Sequence, residues 1–155
     1  MNIIEKAQVR GHLRVDKYDA QGLLYEVTEA DNIFLTVGIN ELWKLATGQS
    51  VATFTNATAQ IGIGDSAVAA VAGQTDLQAA TNKTYKAMAA TYPTVPASGA
   101  VQFQAVFLSA DANYVWNEFV VRQGTSLICF DRGVQALGTK ASGTTWTATV
   151  TLSIA

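Results

Sequence analysis

Apolar and polar residues alternate with a period of two over much of this chain. From Ala7 to Tyr18 most odd-numbered positions are apolar or small and the even-numbered positions are polar, which predicts a half-buried strand. The last segment is stricter, because Trp146 to Ile154 places apolar residues at even positions and Thr or Ser at odd positions. Such strands turn one face to a core and the other to water or to a partner.

The segment from Tyr114 to Asp131 predicts a central hairpin. Two β-rich runs flank Gln123 to Ser126, where Gly124 can supply the positive φ that tight turns need. Apolar residues occupy both faces of the first run: Val115, Phe119 and Val121 on one face, Trp116 and Val120 on the other. This pattern indicates a strand in the middle of a sheet, covered on both sides.

Between Asp31 and Gly48 the apolar period changes to three and four residues. This spacing predicts a helix over about 36–47, with Thr36 as its N-cap and Gly48 at its C-terminus. Its Leu42–Trp43 pair is expected to pack against a sheet. A second helix of one or two turns is predicted after Thr75, because Thr75 to Gln78 fits a capping box.

The remaining runs are short, strand-like and separated by turns. They lie at 23–29, 60–64, 83–92 and 101–109, with loops at 93–96 and 137–140. Many short strands with little helix predict an all-β fold, an antiparallel β-sandwich or jelly roll with one short helix. We expect a single domain over residues 7–155, preceded by an extended N-terminal arm over residues 1–6.

The composition favours contacts with other proteins. Charged residues make up 14% of the chain, against about 25% in ordinary soluble domains, which suggests that part of the surface is covered by partners. A neutral, Thr-rich β surface explains the composition equally well. The net charge of −2 leaves no basic surface for nucleic acid. No apolar run is long enough to cross a membrane, and Met1 to Lys6 lacks the features of a signal peptide.

Candidate chemistry is sparse. The single His12 and single Cys129 lie on different predicted strands, far apart in sequence, and metal or nucleophilic sites need several converging groups. Glu118 and Asp131 could form a glycosidase-like carboxylate pair, but an ion pair with a neighbouring arginine, Arg122 or Arg132, is favoured. Gly62-x-Gly64 lacks the third glycine and the lysine of phosphate loops. We therefore expect no enzyme, and no cofactor, metal or small-molecule ligand.

The order of several short motifs resembles that of small virion proteins of tailed bacteriophages. The matching segments are Asn32 to Asn40 followed by Leu42–Trp43, Ile61 to Gly64 with the later Thr75-Asp76-Leu77, Asn113 with Glu118, and Lys140 with Gly143 before the Thr-rich last strand. Asp65 departs from the Thr that is common after the Ile-Gly strand, and the Thr-Asp-Leu motif is one residue tighter.

This resemblance implies a structural role in the virion. It suggests a capsid decoration (cement) protein, often a trimer, that binds the major capsid protein on the exterior of a phage head. A tail, baseplate or fibre component is the alternative. A carbohydrate-binding β-sandwich is a third class, but it would expose Trp or Tyr beside polar groups, whereas Trp43, Trp116 and Trp146 are predicted to lie in the core.

The N-terminal arm is the predicted partner contact. Ile3 and Ile4 are adjacent, so an extended arm points them to opposite faces and cannot bury both against its own sheet. An arm between subunits can bury both. The predicted contact residues are Asn2, Ile3, Ile4, Glu5 and Lys6; the alternative is an untethered tail.

Overall fold

The computed structural model describes residues 8–154, so the predicted arm over residues 1–6 lies outside the described part of the chain. This part contains eight strands and one helix: β1 Val9–Tyr18, β2 Leu24–Phe34, α1 Thr36–Ala46, β3 Ala59–Gly64, β4 Lys83–Ala87, β5 Ala100–Phe107, β6 Val115–Gln123, β7 Asp131–Thr139 and β8 Thr145–Ile154. All paired strands are antiparallel. The predicted all-β antiparallel class with one short helix is confirmed.

The strands form one sheet that curls almost into a barrel. Their order is β4-β3-β6-β7-β2-β1-β8-β5, which leaves β4 and β5 as the two edges. The chain that follows β4 bridges these edges: the Ala89 amide donates to the Gln104 carbonyl at 2.7 Å, and Thr94 and Gln102 exchange two backbone hydrogen bonds. Within the predicted class, the architecture is therefore a single, nearly closed sheet around one core.

The predicted central strand, β6, lies between β3 and β7 and is covered on both faces. Phe119 and Val121 belong to the main core, and Val120 lies in a second cluster with Leu35, Leu77 and Cys129. The predicted assignment of residues to its two faces is nevertheless wrong at two positions, since Val115, predicted on the face of Phe119 and Val121, is 37% exposed and outside their cluster, and Trp116 belongs to it.

Trp116 joins the core side of β6, together with Phe119 and Val121, because the β6–β7 register shifts between Trp116 and Glu118. Between the pairs Trp116–Gly138 and Glu118–Val134, β6 advances by two residues and β7 by four, and the regular alternation of faces along β6 is interrupted at this irregularity.

The second half of the predicted hairpin is displaced along the chain. The link after β6 takes positive φ at Leu127, and β7 runs from Asp131 to Thr139, so the loop predicted at 137–140 is wrong. Leu137 is buried in the core and Lys140 donates its amide to the Tyr114 carbonyl. Pairing with β6 thus overrides the weak strand propensity of this Gly-containing segment.

Helix α1 is confirmed within one residue of its predicted range, but the predicted cap is wrong. Leu35 is the N-cap and makes no side-chain cap hydrogen bond, and Thr36 is the first helical residue. The helix lies close to the chain before β7 because Gly38 has no side chain; a Cβ there would lie 2.5 Å from the Phe130 Cα and carbonyl oxygen.

The helix predicted after Thr75 is absent. Residues 74–79 form no helix or strand, and the backbone amides of Gln78 and Ala79 donate to the carboxylate of Glu118 at 2.9 and 2.7 Å. The capping-box pattern fails because a buried side chain from β6 takes the amides that a first helical turn would present.

Aromatic side chains fill the barrel interior. Trp116 is in edge-to-face contact with both Phe107 and Trp146, each at 4.8 Å between ring centroids, a favourable geometry for buried rings. Elsewhere in the main core, Phe54 stacks on Phe130 with 3.8 Å between the ring centroids. Burial of Trp116 and Trp146 confirms the prediction for those two residues.

Candidate interaction surfaces

The carboxylate pair considered from the sequence is divided between two structural roles. Glu118 forms a fully buried ion pair with Arg132 at 2.7 Å, as predicted. Arg132 also donates to the side chain of Gln74 and to the carbonyl of Val68, both at 2.8 Å. Together with the two amides bound by Glu118, these contacts fix the 66–82 segment to the outside of β6.

Asp131 makes a separate contact. It is buried at the start of β7 and accepts hydrogen bonds from the Val121 amide, at 2.6 Å, and from the Asn32 side chain. Burial raises the pKa of Asp131 to about 7, against the opposing effect of the Val121 amide. These hydrogen bonds connect Asp131 on β7 to Val121 on β6 and to Asn32 on β2, so this carboxyl group has a structural role.

Two other candidates from the sequence occupy the environments that were predicted. His12 lies on the polar side of β1, 3.2 Å from Asp31 and 3.7 Å from Glu29. Cys129 is buried, and desolvation raises the pKa of its thiol, which makes a thiolate harder to form. Within residues 8–154 no group of three or more His, Cys, Asp or Glu side chains could hold a metal ion.

The glycines considered as a phosphate loop are packing positions on β3. A Cβ at Gly62 would lie 2.7 Å from the Tyr85 ring, and one at Gly64 would lie 2.3 Å from Glu118 Oε1. Both glycines therefore make room for side chains of neighbouring elements, which agrees with the interpretation of this segment as a strand with close neighbours.

The apolar side of α1 faces outward, contrary to the prediction. Trp43 is 65% exposed, and Ile39 and Leu42 are 38% and 37% exposed. The buried positions of the helix are Gly38 and Glu41, and the Glu41 carboxylate accepts a hydrogen bond from Ser50. The helix thus uses its smallest residue and a paired carboxylate for inward packing, and it presents its large apolar side chains to the exterior.

An apolar pocket of about 310 Å³ adjoins this helix at one end of the barrel. Its walls come from the ends of β2, β5 and β8, from α1 and from two loops: Phe34, Leu42, Val95, Gly99, Ala100, Val101, Phe130, Leu152, Ser153 and Ile154. Leu42 belongs to both the pocket and the outer helix face. Exposed Val95 and Ile154 extend the apolar surface at the rim.

We call the outer face of α1 (Ile39, Leu42 and Trp43) together with this pocket the end surface. Sequence analysis missed it, because the same helical period describes a stripe facing a core and a stripe facing outward. The informative signal was the opposite side of the helix, where Gly38 and Glu41 fit a close backbone approach better than a large apolar residue would.

The described chain begins at the end surface. Val9, the first residue of β1, pairs with Ile154, the last residue of β8, which lines the pocket. The predicted contact residues, Asn2, Ile3, Ile4, Glu5 and Lys6, lie outside the described residues, so their role stays a prediction.

A second exposed apolar region lies along the first half of β2. Leu24 and Tyr25 are each 51% exposed, and the described pairing of β2 with β7 is limited to Ile33 and Phe34. Buried Lys17 spans the opening between these strands: its ammonium donates to the Leu137 carbonyl at 2.6 Å and contacts Glu26 at 3.0 Å. Along this stretch β2 and β7 are therefore not paired by backbone hydrogen bonds, and the buried Lys17 side chain connects them.

In residues 8–154 no helix has the length and apolar character needed to cross a membrane. No protein-family model matches the chain, and comparisons with curated proteins and with solved structures also gave no match. The end surface and the sequence resemblance are therefore the features that bear on function.

Proposed function

We propose that this protein is a virion structural component, a capsid decoration (cement) protein that binds the exterior of a tailed-phage head through protein–protein contacts. The observation that carries the proposal is the end surface, where Trp43, Leu42 and an apolar pocket lie together on the exterior of the domain. Contiguous apolar surface of this kind marks interaction sites in soluble proteins.

The surroundings of Trp43 favour a protein partner over a carbohydrate. Ile39 and Leu42 lie one turn before Trp43 or beside it, and both are partly exposed. The exposed Asn40 and Thr47 also lie one turn from Trp43, but the pocket beside Leu42 is lined by apolar residues and glycine apart from Ser153, so it offers few groups to bind sugar hydroxyls. Aromatic residues beside aliphatic ones are typical of the centre of protein interfaces.

The proposed kind of partner is taken from the sequence resemblance. It covers most of the chain and implies a phage virion protein, so the proposed partners are the major capsid protein and further copies of this chain in a trimer. The resemblance extends to tail and baseplate proteins. Binding to isolated tails instead of heads would transfer the proposal to that location.

Heating of phage heads with and without the protein tests this function. A ligand that binds only the intact shell stabilises it by mass action, so saturated heads should disassemble at a higher temperature than bare heads. The Trp43→Ala variant should give a smaller increase at the same concentration, while the exposed Gln21→Ala variant, at the opposite end of β1, serves as the control. Equal disassembly temperatures for bare and saturated heads would contradict the proposal.

A further inference from the structure

The apolar pocket and the start of the described chain lie at the same end of the barrel. We infer that the pocket binds the N-terminal segment, residues 1–7, of a second copy of this chain. This inference depends on the proposed interaction role of the end surface, and it specifies one of its occupants.

The chemistry of the segment matches that of the pocket. Apart from the Ser153 position, the pocket residues are apolar or glycine, and the segment contains Met1, Ile3 and Ile4 within its first four residues. A pocket of about 310 Å³ is at the small end of the range for ligand sites, about 300–1,000 Å³. It can therefore hold a few side chains of an extended segment.

Strand β1 begins beside the pocket rim. Alternate residues of β1, from Gly11 to Lys17, are buried, and Val9, the preceding residue of this series, is 43% exposed. Its partner Ile154 lines the pocket. An extended segment of seven residues spans up to about 23 Å, so it can reach the pocket of an adjoining copy when the two barrel ends meet.

The extent of the exposed apolar surface favours insertion of a segment from a second copy over insertion of the chain's own segment. A segment folded back into its own pocket leaves Trp43, 65% exposed on α1, in contact with water. A second copy packed on the same end can cover both α1 and the pocket. Because the described chain begins beside the pocket, copies that meet at this end can exchange segments reciprocally in a closed, symmetric assembly.

Disulfide trapping between two different copies tests the exchange. Ile4→Cys and Val95→Cys variants, each with its own tag, are expressed together and oxidised mildly; Val95 lines the pocket and is 76% exposed. The expected product is a covalent dimer carrying both tags, with the linkage between positions 4 and 95 confirmed by peptide mass spectrometry. In the matched control Gln21→Cys replaces Val95→Cys, at an exposed turn at the opposite end of β1.

Three results would overturn the inference. The first is a covalent dimer that forms equally well with Val95→Cys and with Gln21→Cys. The second is the absence of any linkage between positions 4 and 95. The third is a linkage that forms only within one chain, in an Ile4→Cys/Val95→Cys double variant, since this would assign the pocket to the chain's own segment.

The mass of the free protein gives an independent readout. Light scattering at micromolar concentration should give a multiple of the 16.4 kDa chain mass, and an Ile3→Ser/Ile4→Ser variant should shift towards the monomer with an unchanged circular dichroism spectrum. A monomeric wild-type protein, or an unchanged mass in the variant, would contradict the inference. Neither result depends on phage heads, so failure here is distinguishable from failure of the decoration function, which is judged by head binding.

Discussion

The stability of this protein should decrease as the pH rises from about 4 to about 7, and Asp131 should be the cause. Burial raises the pKa of its carboxyl group from 3.8 to about 7, so between these values the folded state holds a proton that the unfolded state has lost. The folded state then binds more protons than the unfolded state, and stability falls with increasing pH. Above about pH 7 the carboxylate is ionised in both states and this contribution is gone.

The magnitude follows from the separation of the two pKa values. At about 1.4 kcal/mol per pH unit, the difference between 3.8 and about 7 corresponds to on the order of 4 kcal/mol. Between pH 5 and pH 8 the expected loss is roughly 2–3 kcal/mol, because the part of the titration below pH 5 is not sampled and little further change is expected above about pH 7. The Asp111 carboxyl group has a lowered pKa from its bond to Lys86, so its effect is confined to more acidic solutions.

The Asp131→Asn substitution isolates this effect. Asn32 Oδ1 has no hydrogen-bond partner in the described part of the chain, while its amide nitrogen donates to Asp131. A flipped Asn32 amide would accept a hydrogen bond from the side-chain amide introduced at position 131, which imitates the protonated acid. The variant should therefore lose the pH dependence and be at least as stable as the wild type at pH 8.

Urea unfolding at pH 5, 6, 7 and 8 measures both proteins on one scale. A wild-type free energy of unfolding that stays constant or increases between pH 5 and pH 8 would refute the argument. The same slope in wild type and Asp131→Asn would also refute it, since the titrating group would then lie elsewhere.

Two further substitutions test how α1 and the 66–82 segment are held. Gly38→Ala should cost about 1–3 kcal/mol in urea unfolding, because the added Cβ would collide with the Phe130 backbone. The control Gly73→Ala should cost far less, because a Cβ at Gly73 meets open space. Equal costs in the two variants would show that α1 is not packed against Phe130 as described. Arg132→Met should cost about 3–5 kcal/mol, because it leaves the Glu118 carboxylate buried without its partner, and it should speed proteolysis within 66–82. Arg14→Met, which removes an exposed ion pair, should cost far less, and a similar loss in both variants would contradict the role of the buried pair.

Much of the fold could be predicted from the sequence because most strands carry their own periodic signal. β8 alternates half-buried and buried residues from Thr145 to Ser153, as its Trp/Thr pattern predicts. β7 carries no such pattern, and its pairing with β6 is a tertiary effect. The bulge beside Trp116 and the binding of the Gln78 amide by Glu118 also depend on residues distant in sequence, so no local pattern predicts them.

The motifs behind the family resemblance hold the fold together. Asn32 binds Asp131, Gly38 permits the approach of α1, and Lys140 donates to the Leu108 carbonyl and to Asn113. Such residues specify an architecture more directly than a partner. The outward direction of Trp43 depends on how the helix is seated, which is why the candidate site was harder to predict than the fold.

Electron microscopy of phage heads that lack this protein tests the central claim most directly. After purified protein is added and unbound protein removed, the proposal predicts regular density on the outer surface of the shell, with the end surface at a contact with the capsid or with a neighbouring copy. The Trp43→Ala variant should show lower occupancy at the same concentration. Heads that remain bare at saturating wild-type protein would contradict the decoration function.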